Sequence, residues 1–424
     1  MAEHDTPRTH APKSLRDAAW LKRPETCAVF TALSGDGVET RAVGGAVRDA
    51  LLGLDVTDVD FATTAAPDTV MGLARGAGLK AIPTGIAHGT VTVVADGMSF
   101  EVTTLRRDVE TYGRHAKVAF TQDWTEDAKR RDFTLNALYA DADGTLYDPL
   151  GCYEDFAARR VRFIGDARAR IKEDYLRILR FFRFNAIYGS GPLDQEGLAA
   201  CVRARAGLAQ LSAERVWAEL KRILAAPQAM SGIDALFRYG LLADILGSAP
   251  RPGRLVRLID IETAQGREPS APLRLAALCL FVAEDAPRLA ARFKLSNAEQ
   301  AVLALGASET CDMALPDEDA AKRLLYRLGP DAYASQTLLA WAASGVAADD
   351  TEWDRALALP ERWQAPSFPL RGADIMALGV EGPVIGEILR ALEAGWLESG
   401  FSEEQEVLLA KAKTLVAKAK TLAG

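Results

Sequence analysis

From Ala167 onward, nearly every segment of this chain is rich in Ala, Leu and Arg, with apolar residues recurring three or four positions apart. Leu176, Leu179 and Phe182 form one such set, and Val216, Leu220, Ile223 and Leu224 form another. That spacing stripes one side of an α-helix and neither side of a strand, so the stretch is expected to be helical. Glycine and proline clusters at Gly189-Ser190-Gly191-Pro192, at residues 248–253 and around Ala365-Pro366-Ser367 divide it into groups.

Residues 41–148 follow a different period. In VTVVADGMSFEVTTL (91–105), two β-branched, alternating runs flank Asp96-Gly97, the composition of a tight hairpin turn. Helical pieces surround that hairpin. The expectation is an α+β head with a mixed β-sheet at residues 21–150, followed by an all-α neck (151–230), body (231–310) and tail (311–424), with residues 1–20 as a mobile extension. A chain of 424 residues that is 49% hydrophobic can bury several such cores.

No run of about 18 uninterrupted apolar residues could span a membrane, and MAEHDTPRTHAPKS holds no apolar run suited to secretion. The cytoplasm is therefore expected. Five cysteines, Cys27, Cys152, Cys201, Cys279 and Cys311, include no CxxC pair, which argues against a disulfide framework and a structural zinc site. The net charge of −8 conceals a local reversal. Residues 159–230 carry 14 Lys and Arg against 7 Asp and Glu, a basic stripe able to track a phosphate backbone.

The chemistry concentrates in RAVGGAVRDALLGLDVTDVDFAT (41–63). Val43 leads into Gly44-Gly45 and then a helical pattern, a strand-turn-helix start where backbone N–H groups can approach phosphate oxygens. Arg48, one turn into that helix, would be available to a triphosphate. Asp58 and Asp60 flank one apolar residue in a strand-like segment, so their carboxylates would share a face and suit Mg²⁺, which is usually held by one or two carboxylates plus substrate phosphates.

GGAVRD followed by DVD resembles the head signature of class II tRNA nucleotidyltransferases and bacterial poly(A) polymerases, members of the polymerase-β-like superfamily. The resemblance continues in order through RRDFTLNAL (130–138), YDPLGCYEDF (147–156), RFIGDARARIKEDYLRILRFFRF (162–184) and SAERVWAELKRIL (212–224). It implies a nucleotidyltransferase head and helical domains, with tRNA, CTP and ATP as substrates and two Mg²⁺ ions at Asp58 and Asp60. The expected reaction is template-independent addition of C, C and A to the tRNA 3′ end with release of pyrophosphate. Neither DNA nor a membrane is expected as a partner. Nucleotide-binding roles are implied for Gly44, Gly45, Arg48, Arg131, Asp132, Asn136, Glu173, Asp174, Arg177 and Arg180.

Physical readings of these motifs stand beside the resemblance. Asp132 and Asn136 are four apart and would share a helix face beside Arg131, facing a ribose and triphosphate, or merely solvent. Glu101 would point away from Phe100 and Val102; the resemblance places it near the aspartates as a third catalytic carboxylate, and an outward hairpin position is the plain alternative. Asp174 and Arg177, three apart on a helix, could accept from the exocyclic amino group and donate to the ring nitrogen that C and A share, or simply pair as a salt bridge. Residues 105–115 match in position the family's flexible loop. Arg159, Arg160 and Arg162 are expected to contact RNA.

The four histidines, His4, His10, His88 and His115, leave no histidine downstream for a His-Asp phosphohydrolase domain, and His88 reads as a turn or packing residue. Cys152 stands where a second glycine often follows Gly151. Poly(A) polymerases tend to carry an arginine-rich stretch after the aspartates; here residues 62–90 hold only Arg75 and Lys80 as basic residues, which favours CCA addition. A poly(A) polymerase of the same fold is the nearest alternative, and a partial CC- or A-adding enzyme is a further one. A noncatalytic tRNA-binding protein would be expected to have lost Asp58 or Asp60.

Overall fold

The hairpin expected around Asp96-Gly97 is present: β4 (Thr90–Ala95) and β5 (Met98–Thr104) pair antiparallel, and both turn residues have positive φ, 45° and 83°. A computed structural model describes residues 14–35, 37–112, 115–307, 315 and 317–423. The chain divides into two units, residues 1–248 and 249–424.

The first unit opens with α1 (Pro24–Leu33), β1 (Thr40–Val43), α2 (Gly45–Leu52), β2 (Asp60–Thr63), α3 (Pro67–Gly76) and β3 (Lys80–Gly85), and continues into the hairpin. With β8 (Tyr139–Ala140) and β9 (Leu146–Tyr147) these strands make a seven-stranded sheet in the order β3-β4-β5-β2-β1-β8-β9. Only β2 and β5 run parallel, so the sheet is mixed as expected. On one face Phe61, Phe100 and Val102 are buried with Val29, Phe30 and Val70. The other face carries the site.

Residues 105–115, expected as a loop, instead form most of a separate two-stranded hairpin, β6 (Arg106–Tyr112) with β7 (His115–Phe120). Positions 113 and 114 lie outside the described residues.

The neck follows α4 (Trp124–Lys129) and α5 (Tyr153–Ala157). It comprises α6 (Ala167–Glu173), α7 (Leu176–Tyr188), α8 (Gln195–Arg203), α9 (Ala213–Leu224), α10 (Ala229–Arg238) and α11 (Leu241–Leu246). Phe133, Phe163, Phe181 and Phe184 form an aromatic cluster tying α7 to the head. Three expected boundaries move. Leu15 and Trp20 are buried, and a Cβ at Gly144 would strike the Arg16 backbone at 2.3 Å, so residues 15–20 are part of the folded head. Residues 1–13 lie outside the described residues. The neck extends through α10 and α11, because α10 packs on α7 and α9, and the unit ends at 248 rather than 230.

The second unit contains α12 (Pro252–Ala264), α13 (Ala271–Cys279), α14 (Asp285–Phe293), α15 (Asn297–Gly306), α16 (Glu318–Leu328) and α17 (Pro330–Ser344), then α18 (Thr351–Leu357), α19 (Leu359–Arg362), α20 (Gly372–Met376), α21 (Val384–Glu398) and α22 (Gln405–Ala423). α17 packs on α12, α13 and α15, so the body bundle runs past residue 310. The segment 368–396, to which the sequence assigns no role, builds the tail core with Ile375, Ile388, Leu392 and Trp396. Among the described residues no helix is long and apolar enough to cross a membrane. Cys27, Cys152, Cys201 and Cys279 are free thiols, and Cys311 lies outside the described residues.

Candidate active site

The strand register assembles the carboxylates. Phe61 pairs with Val102 across the parallel β2–β5 ladder, so one position back Asp60 lies beside Glu101 on the exposed face. Only Asp60 is in the strand; Asp58 precedes it in an irregular segment, where Thr57 Oγ1 donates to its Oδ2 at 3.2 Å. The expectation of two aspartates on one strand is corrected to that extent. Partial burial lifts the Asp60 carboxyl above its ordinary range, the Glu101 and Asp58 charges add to the rise, and Arg131 opposes it.

Gly44, with φ 70°, turns the chain from β1 into α2, and a Cβ there would lie 3.7 Å from Arg131 Nη1. Around this turn a cleft of about 300 Å³ is lined by Gly44, Gly45, Arg48, Asp60, Arg131, Asp132, Asn136, Arg180, Arg183 and Phe184. Four guanidiniums thus ring a space bounded by Asp60, which suits a polyanion next to a cation. The segment holding Asp132 and Asn136 is not helical as expected. The chain leaves α4 at Lys129, Phe133 bridges to Phe163, and residues 134–136 make a single 3₁₀ turn. The two side chains still meet, Asn136 Nδ2 donating to Asp132 Oδ1 at 2.9 Å. Burial would raise the Asp132 carboxyl, yet Arg180, donating from Nε at 2.7 Å, helps hold it below its usual range.

Arg48, expected to be available to a triphosphate, is largely engaged within the protein. It donates from Nη1 to Asn136 Oδ1 at 2.7 Å, from Nη2 to Tyr188 Oη at 2.7 Å and Asp49 Oδ2 at 3.0 Å, and from Nε to Asp49 Oδ1 at 2.8 Å. One of its five N–H groups remains for a ligand. Asp127 is a second organiser that the motifs did not single out. Its Oδ2 accepts from Arg131 Nη2 at 3.0 Å and Tyr139 Oη at 2.8 Å, while Oδ1 accepts from Arg130 Nε at 2.8 Å. Burial pushes this carboxyl up, but Arg131, Arg130 and the Tyr139 hydroxyl overcome it and bring it down to about 2. The three- and four-residue spacings to Arg130 and Arg131 were a readable signal.

Asp174 and Arg177 do not line that cleft and do not pair with each other. α6 ends at Glu173 and Asp174 is extended, with φ −153°. Asp174 Oδ1 accepts from Leu176 N at 3.1 Å and Oδ2 from Arg215 Nη2 at 2.6 Å. Arg177 Nη1 donates to Arg170 O at 2.7 Å and also to Glu173 Oε2. The i,i+3 salt bridge is thereby excluded, since a helix break separates the partners and each has another ion pair. Arg177 keeps three N–H donors and Asp174 keeps acceptor capacity.

Of the expected RNA contacts, Arg160 and Arg162 face Asp155 at 3.3 and 3.5 Å, and Arg162 also faces Asp194 at 3.7 Å. Arg159 sits in a turn with φ 50°. In the DPxxG element Asp148 accepts from Cys152 N and Tyr153 N, both at 2.9 Å, so Cys152 leaves that turn intact. His88 ends an exposed 3₁₀ turn.

No group of three His, Cys, Asp or Glu among the described residues has metal-holding proximity. The hard oxygen donors of Asp58 and Asp60, with Glu101 laddered beside Asp60, suit a divalent cation that would complete its shell from substrate oxygens and water.

The chain is similar to known proteins over most of its length. Residues 40–162 match the family described as Poly A polymerase head domain, and residues 192–250 match the probable RNA and SrmB-binding site of polymerase A. The mitochondrial CCA tRNA nucleotidyltransferase 1 of Mus musculus is 35% identical over 414 residues, covering 93% of this chain and 92% of its own. The CCA-adding enzyme of Geobacillus sp. (strain WCH70) is 41% identical over 225 residues, 52% of this chain and 54% of that protein. The crystal structure of the Bacillus stearothermophilus CCA-adding enzyme in complex with CTP superposes with a TM-score of 0.71 at 27% identity, covering 94% of this chain and 98% of that one. With the motifs in order, the mixed sheet beneath the aspartates and a relative matched nearly end to end, the chain belongs to the CCA tRNA nucleotidyltransferase family.

Proposed function

We propose that this chain adds C, C and A to the 3′ end of tRNA, using CTP and ATP and releasing pyrophosphate. The observation that carries the reading is the cleft at Gly44-Gly45, where Asp60 faces Arg48, Arg131, Arg180 and Arg183. The RNA 3′-hydroxyl gives up its proton, to Glu101 or to water, as its oxygen attacks the nucleotide α-phosphorus; the bond to the bridging oxygen breaks and pyrophosphate leaves. Arg131, Arg180 and Arg183 hold the triphosphate, and Arg48 with Asn136 fixes the rim of its pocket. Asp58 and Asp60, with Glu101 beside them, would hold Mg²⁺, which supplies charge neutralisation at the attacking and leaving oxygens.

Base choice is assigned to Asp174 and Arg177. Arg215 and Glu173 fix the two groups, so the free donors of Arg177 and the free lone pairs of Asp174 can meet the amino group and ring nitrogen common to C and A. The cytoplasm is the compartment this composition fits, and the matched Mus musculus relative is named as mitochondrial.

The test is incubation with tRNA ending at the discriminator base plus each labelled nucleotide, with product lengths resolved. Three added residues ending in A are expected. A long A tail would make the chain a poly(A) polymerase, and arrest after CC, or addition of A alone to a CC end, would make it a partial enzyme.

A further inference from the structure

A second concavity of about 380 Å³ lies in the neck, away from the Gly44-Gly45 cleft, and shares no lining residue with it. Arg168 and Lys172 of α6, Arg203 at the end of α8, Tyr175, Gly207 and Gln210 shape it, and no acidic side chain lines it. Many other neck arginines are matched with carboxylates: Arg160 and Arg162 with Asp155, Arg170 and Arg177 with Glu173, Arg180 with Asp132, Arg183 with Glu219, and Arg215 with Asp174. Arg168, Lys172 and Arg203 have no ion pair or side-chain hydrogen bond among the described residues. Three like charges gathered on one hollow repel one another unless an anion joins them.

We infer that this hollow is a cradle for successive backbone phosphates of the RNA primer, on the outer face of α6. The inference rests on the tRNA reading above and names where that RNA is held. Arg168 and Lys172 are i,i+4 neighbours on the exposed side of α6, while Arg170, buried, turns the other way to the Arg131 carbonyl at 2.8 Å. The cations come from two helices at exposed positions, an arrangement suited to charges spread along a strand. Asp166 already caps the N-terminus of α6, accepting from Ala169 N at 2.7 Å, so that end is not left open for a free phosphate. The hollow is also tied to the base-reading pair. Tyr175 directly follows Asp174 and packs so closely on Gly207 that a Cβ there would fall 2.0 Å from its ring. RNA seated in the hollow therefore bears on the residue next to Asp174. Arg203 lies inside the matched RNA-binding segment 192–250, whereas Arg168 and Lys172 lie outside it.

The test uses the full chain carrying Arg168→Ala, Lys172→Ala and Arg203→Ala together, with tRNA lacking its terminal CCA titrated over a range of salt. The slope of log K against log salt should flatten by roughly 2, at about 0.7–0.9 for each phosphate no longer neutralised. KM for the RNA should rise on the order of tenfold, while KM for CTP and ATP stays in place. The charge-preserving triple R168K/K172R/R203K should keep the wild-type slope, which separates loss of charge from loss of fold. An unchanged slope in the alanine triple overturns the inference. So does an effect confined to KM for the nucleotides or to inhibition by pyrophosphate, which would make the hollow a free-phosphate site. Because the slope reads binding alone, wild-type protein that binds tRNA but fails to extend it would count against the proposed activity without touching this result.

Discussion

Arg48 and Tyr188 meet in two ways at once: the guanidinium carbon lies 3.9 Å from the tyrosine ring centroid, and Nη2 donates to the hydroxyl at 2.7 Å. Tyr188 is the last residue of α7 and Arg48 lies on α2, so this contact fixes the guanidinium that also holds Asn136 at the cleft rim. Tyr188→Phe keeps the ring but removes a hydrogen bond to a charged group, worth about 1.5–3 kcal/mol. The expected result is KM for CTP and ATP raised roughly tenfold with little change in kcat, and a larger rise for Tyr188→Ala. Unaltered KM values in both variants would show that the contact does not organise the cleft.

Asp58→Ala or Asp60→Ala should abolish nucleotide addition while leaving tRNA binding near wild type, because a metal clamp acts on the transition state rather than on the RNA backbone. Turnover above about a tenth of wild type would be too small a loss for metal catalysis, and would move the active site elsewhere.

Arg177→Ala removes the donor proposed to meet the ring nitrogen of C and A and leaves Asp174 held by Arg215. Discrimination against UTP and GTP should fall by about 1–3 kcal/mol, along with activity. Measuring kcat/KM for all four nucleotides decides it: an unchanged ranking with equal losses refutes base selection by this residue.

Asp127 should make stability acid-sensitive. Its folded carboxyl is held at about 2, below the ordinary value of 3.8, so the stabilisation is complete above that ordinary value and is lost as pH falls from there through about 2. The buried group accounts for about 2 kcal/mol. Asp127→Asn should therefore lower the unfolding midpoint near neutral pH and flatten its decline below pH 4. Parallel acid-unfolding curves for the two proteins would rule this out.

What could be read in advance followed local periodicity. The alternation around Glu101 places it outward between Phe100 and Val102, and the Asp96-Gly97 turn was visible as two residues. Pairs far apart in the chain were not legible: Arg180 meets Asp132 across 48 positions, Arg215 meets Asp174 across 41, and Arg48 meets Asn136 across 88. The helical spacing from Asp132 to Asn136 misled because Phe133 is drawn into the aromatic cluster with Phe163, Phe181 and Phe184, and tertiary packing overrode local preference. The break at Asp174 was hidden for a related reason, since Asp174 leaves the helix to meet Arg215.

Asp60 and Glu101 stay side by side because adjacent strands are laddered together, not because of the chain that joins them. The excursion through α3, β3 and β4 can therefore gain or lose residues in its outer turns, and the two carboxylates will remain abreast. Deleting a single residue inside β5 ahead of Glu101 has the opposite consequence. It reverses every side chain beyond the cut, turning Glu101 inward toward Phe61 and delivering an apolar group to the face that carries Asp60. Length variation among relatives of this chain is thus expected in the connections and forbidden within this one strand.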